Sequence, residues 1–402
     1  MKTKGIFTSV FFLMAMIFSS SAYPQWTKVS DFPVSCFTVS GSNIFAGSEL
    51  GGVILSTDNG ITWNAVNTGL TNTDVRALAS SGANLFAGTS GGGVFYSTNN
   101  GTGWTEVNLN LGNSDVRALI ANDHFVFAGT NGGGLFRAEF PAINWSPGNN
   151  GLGNLYPQSF VFTGTQILCG TRGQGVYISN NGLDWAALYG NIGLIYNDVW
   201  ALAAVEGTII AGTHGGGIFI TNGTSWTGTD LTYQVAALAV DSLYVFAGTT
   251  QHGVFLSKNN GTNWGAANTG LTSMEVTALA VSGDYLFAGT QPGGIWKRPL
   301  SEFSSSGVPS IPGGSNIIKL GQNFPNPFND GTTIEYSLSK AAFVTLTVFN
   351  IYGEEVGRLV SREMLPGRYH VSWVATTLPG GIYTYRIQAG ESVQTRKLIL
   401  IR

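Results

Sequence analysis

Asp74-Val75-Arg76-Ala77-Leu78-Ala79, then Asn84-Leu85-Phe86-Ala87-Gly88-Thr89, then Val94-Phe95-Tyr96-Ser97, followed by Thr98-Asn99-Asn100-Gly101 and Trp104, is the stretch that decides the fold. Three short apolar runs are separated by turn residues, and a fourth run opens at the tryptophan. Gly91-Gly92-Gly93 supplies the turn between the second and third runs. Asn100-Gly101 can take positive φ at both positions, the strongest short hairpin signal. The runs are apolar nearly throughout rather than alternating, as expected of strands covered on both faces. The stretch therefore predicts one four-stranded antiparallel unit whose first strand carries small residues, where space is tight.

The same unit recurs along most of the chain. Glycines of Ala-Gly-Thr-like tripeptides fall at Gly47, Gly88, Gly129, Gly170, Gly212, Gly248 and Gly289, with spacings of 41, 41, 41, 42, 36 and 41. Tryptophans run in step at Trp26, Trp63, Trp104, Trp145, Trp185, Trp226 and Trp264. A β-type repeat of about 40–45 residues is the signature of propeller blades. The expected fold is all-β: a seven-bladed β-propeller over residues 23–301, then a small Ig-like β-sandwich. The seventh unit has no tryptophan after its third strand. Trp26-Thr27-Lys28-Val29 matches Trp104-Thr105-Glu106-Val107, so residues 26–30 are expected to complete the last blade and cover an edge that would otherwise invite aggregation.

Composition narrows the function classes. Glycine numbers 56 of 402 residues without a collagen period, and aromatics reach 12%, which excludes a disordered chain. Between residues 26 and 317 there are eight basic and sixteen acidic residues, too few cations for a nucleic-acid binder. Cys36 and Cys169 fall in different units at different strand positions, so a bridge is not expected and both read as small buried hydrophobes.

The beginning of the chain reads as an export signal. Lys2 and Lys4 precede an apolar run from Ile6 to Phe18, and Ser19-Ser20-Ser21-Ala22 closes it, so residues 1–22 are expected to be a secretory signal peptide. No later run reaches the ~18 apolar residues of a membrane span. Residues 302–316, rich in Ser, Gly and Pro, read as a linker. From 317 to 402 the 41-residue unit is gone and alternating strands such as Val344-Thr345-Leu346-Thr347-Val348 take over.

Two resemblances add to this reading. Ser56-Thr57-Asp58-Asn59-Gly60-Ile61-Thr62-Trp63 and its copies at 97–104, 179–185 and 257–264 resemble the Asp-box of sialidase-like (BNR) and sortilin-like propellers. Asp58 alone keeps the acid. The resemblance implies a structural hairpin built on Ser56, Asp58 and Gly60, with Trp63, Trp104, Trp185 and Trp264 packed between sheets. The tail resembles the type A sorting domain of the type IX secretion system. The match rests on Asn323, Pro325, Asn326, Pro327 and Phe328, then Gly353, Gly381 and Tyr383, and finally Arg396 and Lys397. It implies a Gram-negative, Bacteroidota-type source, passage through the type IX machinery as partner, and a final place outside the cell or on its outer surface. It also implies that the last strand, with Arg396 and Lys397, is the part required for recognition.

Chemistry is sought where blades converge. Asp74, Asp115, Asp198 and Glu275 all stand just before a first strand, where side chains can ring one mouth of the central channel. Paired carboxylates there could act as acid and base. Four acids at one repeat-equivalent position are more simply explained as turn caps that bond backbone N–H groups. Trp200 is the one bulky departure at the position that holds Arg76 and Arg117, and reads either as a sugar platform or as a packed ring. The sialidase arrangement of three arginines and a Tyr nucleophile is not matched by Arg76, Arg117, Arg137, Arg172 and Arg298. His214 and His252 lie in corresponding loops without further ligands, and the Gly-rich turns lack the Lys-Ser/Thr of a phosphate loop, so no metal or cofactor is expected. The expectation is a secreted, monomeric binding or scaffold propeller without catalysis. Its ligand surface is the channel mouth at 74–76, 115–117, 198–200, 234–236 and 275–277, and its ligand an unidentified glycan or protein. The rival is a glycan-binding or glycan-cleaving propeller.

Overall fold

The computed structural model describes residues 25–221, 223–305, 318–350, 354–375, 378–390 and 392–401. The expected signal peptide and Gly353 of the tail motif lie outside the described residues.

Seven four-stranded antiparallel sheets form the larger part. Sheet one contains Cys36–Ser40, Asn43–Ser48, Gly52–Ser56 and Asn64–Ala65, paired in that order. Sheet two repeats the order with Val75–Ser81, Asn84–Thr89, Gly93–Ser97 and Thr105–Glu106. Sheets three to six begin with Val116–Ala121, Pro157–Thr163, Val199–Val205 and Val235–Val240. Sheet seven takes Val276–Ser282, Tyr285–Thr290 and Gly294–Pro299 from the end of the repeats and Thr27–Ser30 from their beginning, with Thr27 opposite Lys297. Each first strand touches the first strand of the next sheet, and Val276–Ser282 touches Cys36–Ser40, so the seven sheets close into a ring.

The repeated residues explain why the sheets sit this way. A Cβ on Gly88 would fall 2.5 Å from Val116 Cγ1, and one on Gly47, Gly212 or Gly248 would lie 2.6–2.7 Å from Val75, Val235 or Val276. Only glycine in the second strand lets the leading valine of the next sheet seat against it. The following threonine is fully buried, and in sheets two to six its hydroxyl donates to the carbonyl four residues on, as from Thr89 to Gly93 at 2.9 Å.

Outer turns and tryptophans seal neighbouring sheets. Ser56 Oγ accepts from Gly60 N at 2.8 Å, and the Asp58 carboxylate accepts from Ile61 N and Thr62 N. Ser97 with Asn99 and Ser257 with Asn259 repeat the arrangement with an amide oxygen in place of the carboxylate. The Trp104, Trp145 and Trp185 indole N–H groups donate back to Val66, Val107 and Gly148 carbonyls of the preceding sheet at 2.6–2.9 Å. Trp26 does the same across the closure, donating to Ala267 O at 2.7 Å. The Trp264 indole N–H donates instead to Gly261 O of its own turn, and Trp63 is half-buried with its indole N–H unpartnered among the described residues.

Two sequence expectations are corrected by packing. The linker does not begin at 302: Glu302–Ser305 forms a helical turn, and Phe303 is fully buried against Tyr244 and Phe246 beneath the Arg298 guanidinium. Cys36 is only half-buried, whereas Cys169 is enclosed; neither is bridged.

The tail has seven strands in two sheets, one of Ile318–Leu320, Gly331–Leu338 and Gly367–Val374, the other of Glu355–Met364, Ala342–Phe349, Gly381–Ala389 and Ser392–Leu400. A shared core of Tyr336, Leu346, Tyr385 and Leu398 lies between them. The residues of the tail motif knit its first loop to its last strand. Asn323 is buried and bonds Thr332 and the Pro325 carbonyl, Asn326 Oδ1 accepts from Ile399 N, and Phe328 N donates to Ile399 O. Pro327 completes that loop, Gly381 opens its strand, and the buried Tyr383 donates to Pro379 O. Lys397 is exposed. The tail rests on the turns between first and second strands of sheets five to seven. Arg396 pairs with Glu206 at 3.1 Å, and Arg368 reaches the buried Asp241 and the Gly283 carbonyl.

Candidate functional site

At the other end of the ring the first strands begin, and there the repeats stop being alike. In sheets two to seven the ladder slips by one residue between the leading position and the residue two on: Val75/Ala77, Val116/Ala118, Pro157/Ser159, Val199/Ala201, Val235/Ala237 and Val276/Ala278. The residue skipped is Arg76, Arg117, Gln158, Trp200, Ala236 or Thr277. A bulged residue is released from ladder pairing and its side chain re-aimed. With Ser35 from sheet one, these side chains line a cavity of about 300 Å³ at the mouth, joined by Glu49, Thr250, Glu275 and Gln291.

A second ring lies just outside the first. The residue after each Ala-Gly-Thr is Glu49, Ser90, Asn131, Arg172, His214, Thr250 or Gln291. From Ser90 onward its backbone N–H donates to the carbonyl just before a first strand, as Asn131 N does to Asp115 O at 2.8 Å. A further cavity of about 330 Å³ opens between Arg117, Asn131, Gln158, Arg172 and Trp200. The valine, glycine and threonine beside these positions recur from copy to copy, whereas the two rings differ in nearly every copy.

The acids do not cap the turns. Asn72 Oδ1 accepts from Asp74 N at 2.9 Å and Asn113 Oδ1 from Asp115 N at 2.8 Å, so the asparagines two residues earlier hold these loops. Asp74 instead accepts from Arg76, whose other arm reaches Glu49 at 2.6 Å. Asp115 accepts from Arg117 and Asn131, both at 2.8 Å. Burial raises the Asp115 carboxyl, but the Arg117 and Asn131 donors outweigh it and hold it below the usual carboxylate range. Asp198 goes the other way: burial raises it, offset in part by His214 and the Trp200 N–H. The Trp200 N–H lies 3.1 Å from Asp198 Oδ1, and its ring packs on His214 with centroids 4.3 Å apart at an interplanar angle of 32°. His252 stacks on Tyr233 at 3.6 Å. Among the described residues no group of three potential metal ligands converges.

The structure thus brings Arg76, Arg117, Trp200 and Glu275 to one cavity, with Asp74, Asp115 and Asp198 behind them as partners. Sequence reading missed Ser35 and Gln158, because in those copies Pro33 and Tyr156 replace the marker acid. It also missed the second ring, because the residue after Ala-Gly-Thr reads as part of a turn. The signal that finds both is variation between copies at fixed repeat positions.

Residues 322–401 match a family described as the secretion system C-terminal sorting domain. The tail is a type IX sorting domain, which implies export to the cell surface or the extracellular space. Among curated proteins none matches the chain. Solved structures that resemble it show the fold. PorZ, a surface component of the type IX secretion system of Porphyromonas gingivalis, superposes with a TM-score of 0.55 at 16% identity. That match covers 93% of this chain and 60% of PorZ. A GH74 xyloglucanase from Xanthomonas campestris gives 0.57 at 16% identity, over 77% of this chain and 59% of that one. The WD40 β-propeller domain of Doa1 gives 0.51 at 14% identity, over 68% and 96%. The chain therefore spans about 60% of the first two proteins, and the ring is a β-propeller fold. Among the described residues no helix is long and apolar enough to cross a membrane.

Proposed function

We propose that the protein is an exported binding module, a seven-bladed β-propeller over residues 23–301 carried out of the cell by an Ig-like sorting tail. The turns at Ser56, Ser97, Ser179 and Ser257 are Asp-box hairpins that hold the rim, and the ligand surface is the channel mouth. One observation carries this reading: the two rings of copy-specific side chains, most of the inner ring on β-bulges, around a cavity of about 300 Å³. A framework that repeats and a mouth that does not is the pattern of an asymmetric binding site. Two of the four candidate acids, Asp74 and Asp115, are spent on arginines, which argues against a general acid and base there.

The glycan-cleaving reading would have to use Asp198, whose carboxyl burial raises, together with Glu275, which has no side-chain partner among the described residues. A panel of polysaccharides and peptides, scored for both binding and cleavage with the full chain, tests the proposal. Binding without cleavage, lost in the Arg117→Ala and Trp200→Ala variants, is the expected result; turnover abolished by Asp198→Asn would replace it. For export, a chain ending at Ser315 is expected to accumulate in the periplasm, and its normal appearance outside the cell would refute the role of the tail.

A further inference from the structure

We infer that the mouth takes a carboxylate-bearing sugar, a uronate unit of an acidic polysaccharide, in the sector formed by Arg117, Gln158, Arg172 and Trp200. The inference rests on the mouth being the ligand surface and adds the chemistry of the ligand.

The sector is the one part of the mouth whose lining contains no carboxylate. Elsewhere carboxylates outnumber cations: Arg76 is held between Asp74 and Glu49, and Glu275 stands on the first cavity as well. Arg117 gives Asp115 a single Nη2 bond, which leaves its other donors unspent. Arg172 is exposed and makes no side-chain hydrogen bond or ion pair among the described residues. Two guanidiniums on one cavity, with spare donors on both, form a receptor for a carboxylate, since the planar fork of arginine matches its two oxygens.

The rest of the sector selects a sugar as the carrier of that carboxylate. Trp200 lines both mouth cavities and is held by its N–H bond to Asp198 and its packing against His214. A fixed indole offers a flat apolar face to the C–H face of a pyranose. The Gln158 side chain has no partner among the described residues, and the Asn131 amide oxygen likewise, so both can serve hydroxyl groups. A peptide carboxylate would arrive with side chains, yet Trp200 is the only large apolar residue on either cavity, and there is no hydrophobic pocket to receive them. The mouth-side backbone N–H groups are already spent within the ring, as from Asn131 to Asp115 and from His214 to Asp198, which leaves no free strand edge to extend.

Isothermal titration of the full chain tests this with oligogalacturonate, alginate and hyaluronan oligosaccharides, the same chains with carboxyls reduced to alcohols, and acidic peptides. The expected result is that at least one uronate chain binds about tenfold or more tighter than its reduced form, and more weakly as salt rises. Arg172→Gln is expected to erase that preference, and Trp200→Ala to weaken the acid and reduced forms alike by about tenfold. Arg137→Gln, on the outer part of sheet three, serves as the charge-matched control and is expected to change nothing. Equal binding of acid and reduced chains, with Trp200→Ala still damaging, overturns the carboxylate inference while the mouth remains the ligand surface. Uronate binding indifferent to both mouth variants overturns the inference and the mouth reading together. Binding of acidic peptides alone, or of no member of the panel, overturns the sugar assignment.

Discussion

Removing the Trp26 side chain should open the ring at its closure, and the cost can be worked from the contacts. Trp26 is 3% exposed and packs with Leu256, Leu271 and Trp296 at the junction of sheets six and seven. An indole removed from water contributes at most about 6 kcal/mol, from ~250 Å² at ~25 cal/mol/Å². The hydrogen bond to Ala267 O adds little net, because that carbonyl keeps the Arg298 guanidinium at 3.2 Å and is not orphaned. Trp26→Ala should therefore cost about 3–5 kcal/mol, the range for deleting a large buried ring. At about 2–4 °C per kcal/mol this is a fall in Tm of roughly 6–20 °C. Trp63→Ala is the internal control. Its half-buried ring, with an unpartnered N–H, should cost about 1–3 kcal/mol. Urea titration and thermal melts followed by circular dichroism give both numbers. If Trp26→Ala were no more damaging than Trp63→Ala, the closure would not depend on this residue and the reasoning would fail.

Three further predictions concern the rim, the end of the ring and the tail. Hydrogen bonds from the Thr62 hydroxyl and backbone, and from Ser56 and Ile61, hold the Asp58 carboxyl down to about 2. A depressed carboxyl stabilises above its unfolded pKa and loses that contribution as pH falls through the folded one. Asp58→Asn should therefore melt like the parent at pH 2 yet fall slightly below it above pH 4, with a pH series of melts as the check. Phe303→Ala should cost about 3–5 kcal/mol in the same urea titration, whereas a true linker residue would cost nothing. Arg368→Ala should free the tail from sheets six and seven, raising the radius of gyration in small-angle scattering while the ring melts unchanged.

The ring was legible because its markers do structural work that every copy needs. Gly88 must be glycine to admit Val116, and Trp104 must reach Val66, so both recur at a fixed interval. The pairing of Thr27–Ser30 with Gly294–Pro299 shows in the likeness of Trp26-Thr27-Lys28-Val29 to Trp104-Thr105-Glu106-Val107. The site was only partly legible, since a site is marked by departure from the repeat. Trp200 stood out as the one bulky departure at the position that holds Arg76 and Arg117; Ser35 and Gln158 did not. The role of Asp74 was misread because Asn72, two residues earlier, already holds the turn by accepting from the Asp74 N–H, and the carboxylate goes to Arg76. Phe303 was hidden in a Ser-rich stretch, where one aromatic residue cannot announce the hydrophobic slot waiting for it.

The placement of the tail has a consequence for how the molecule is displayed. Arg368 and Arg396 grip turns at the end of the ring where first strands finish, and the copy-specific rings stand where they start. On the proposed reading, the sorting handle and the ligand face are therefore antipodal. A grip on the last strand would then leave the mouth uncovered. Recoding the mouth for another ligand would leave the handle untouched, which makes cargo and address separable parts of one chain.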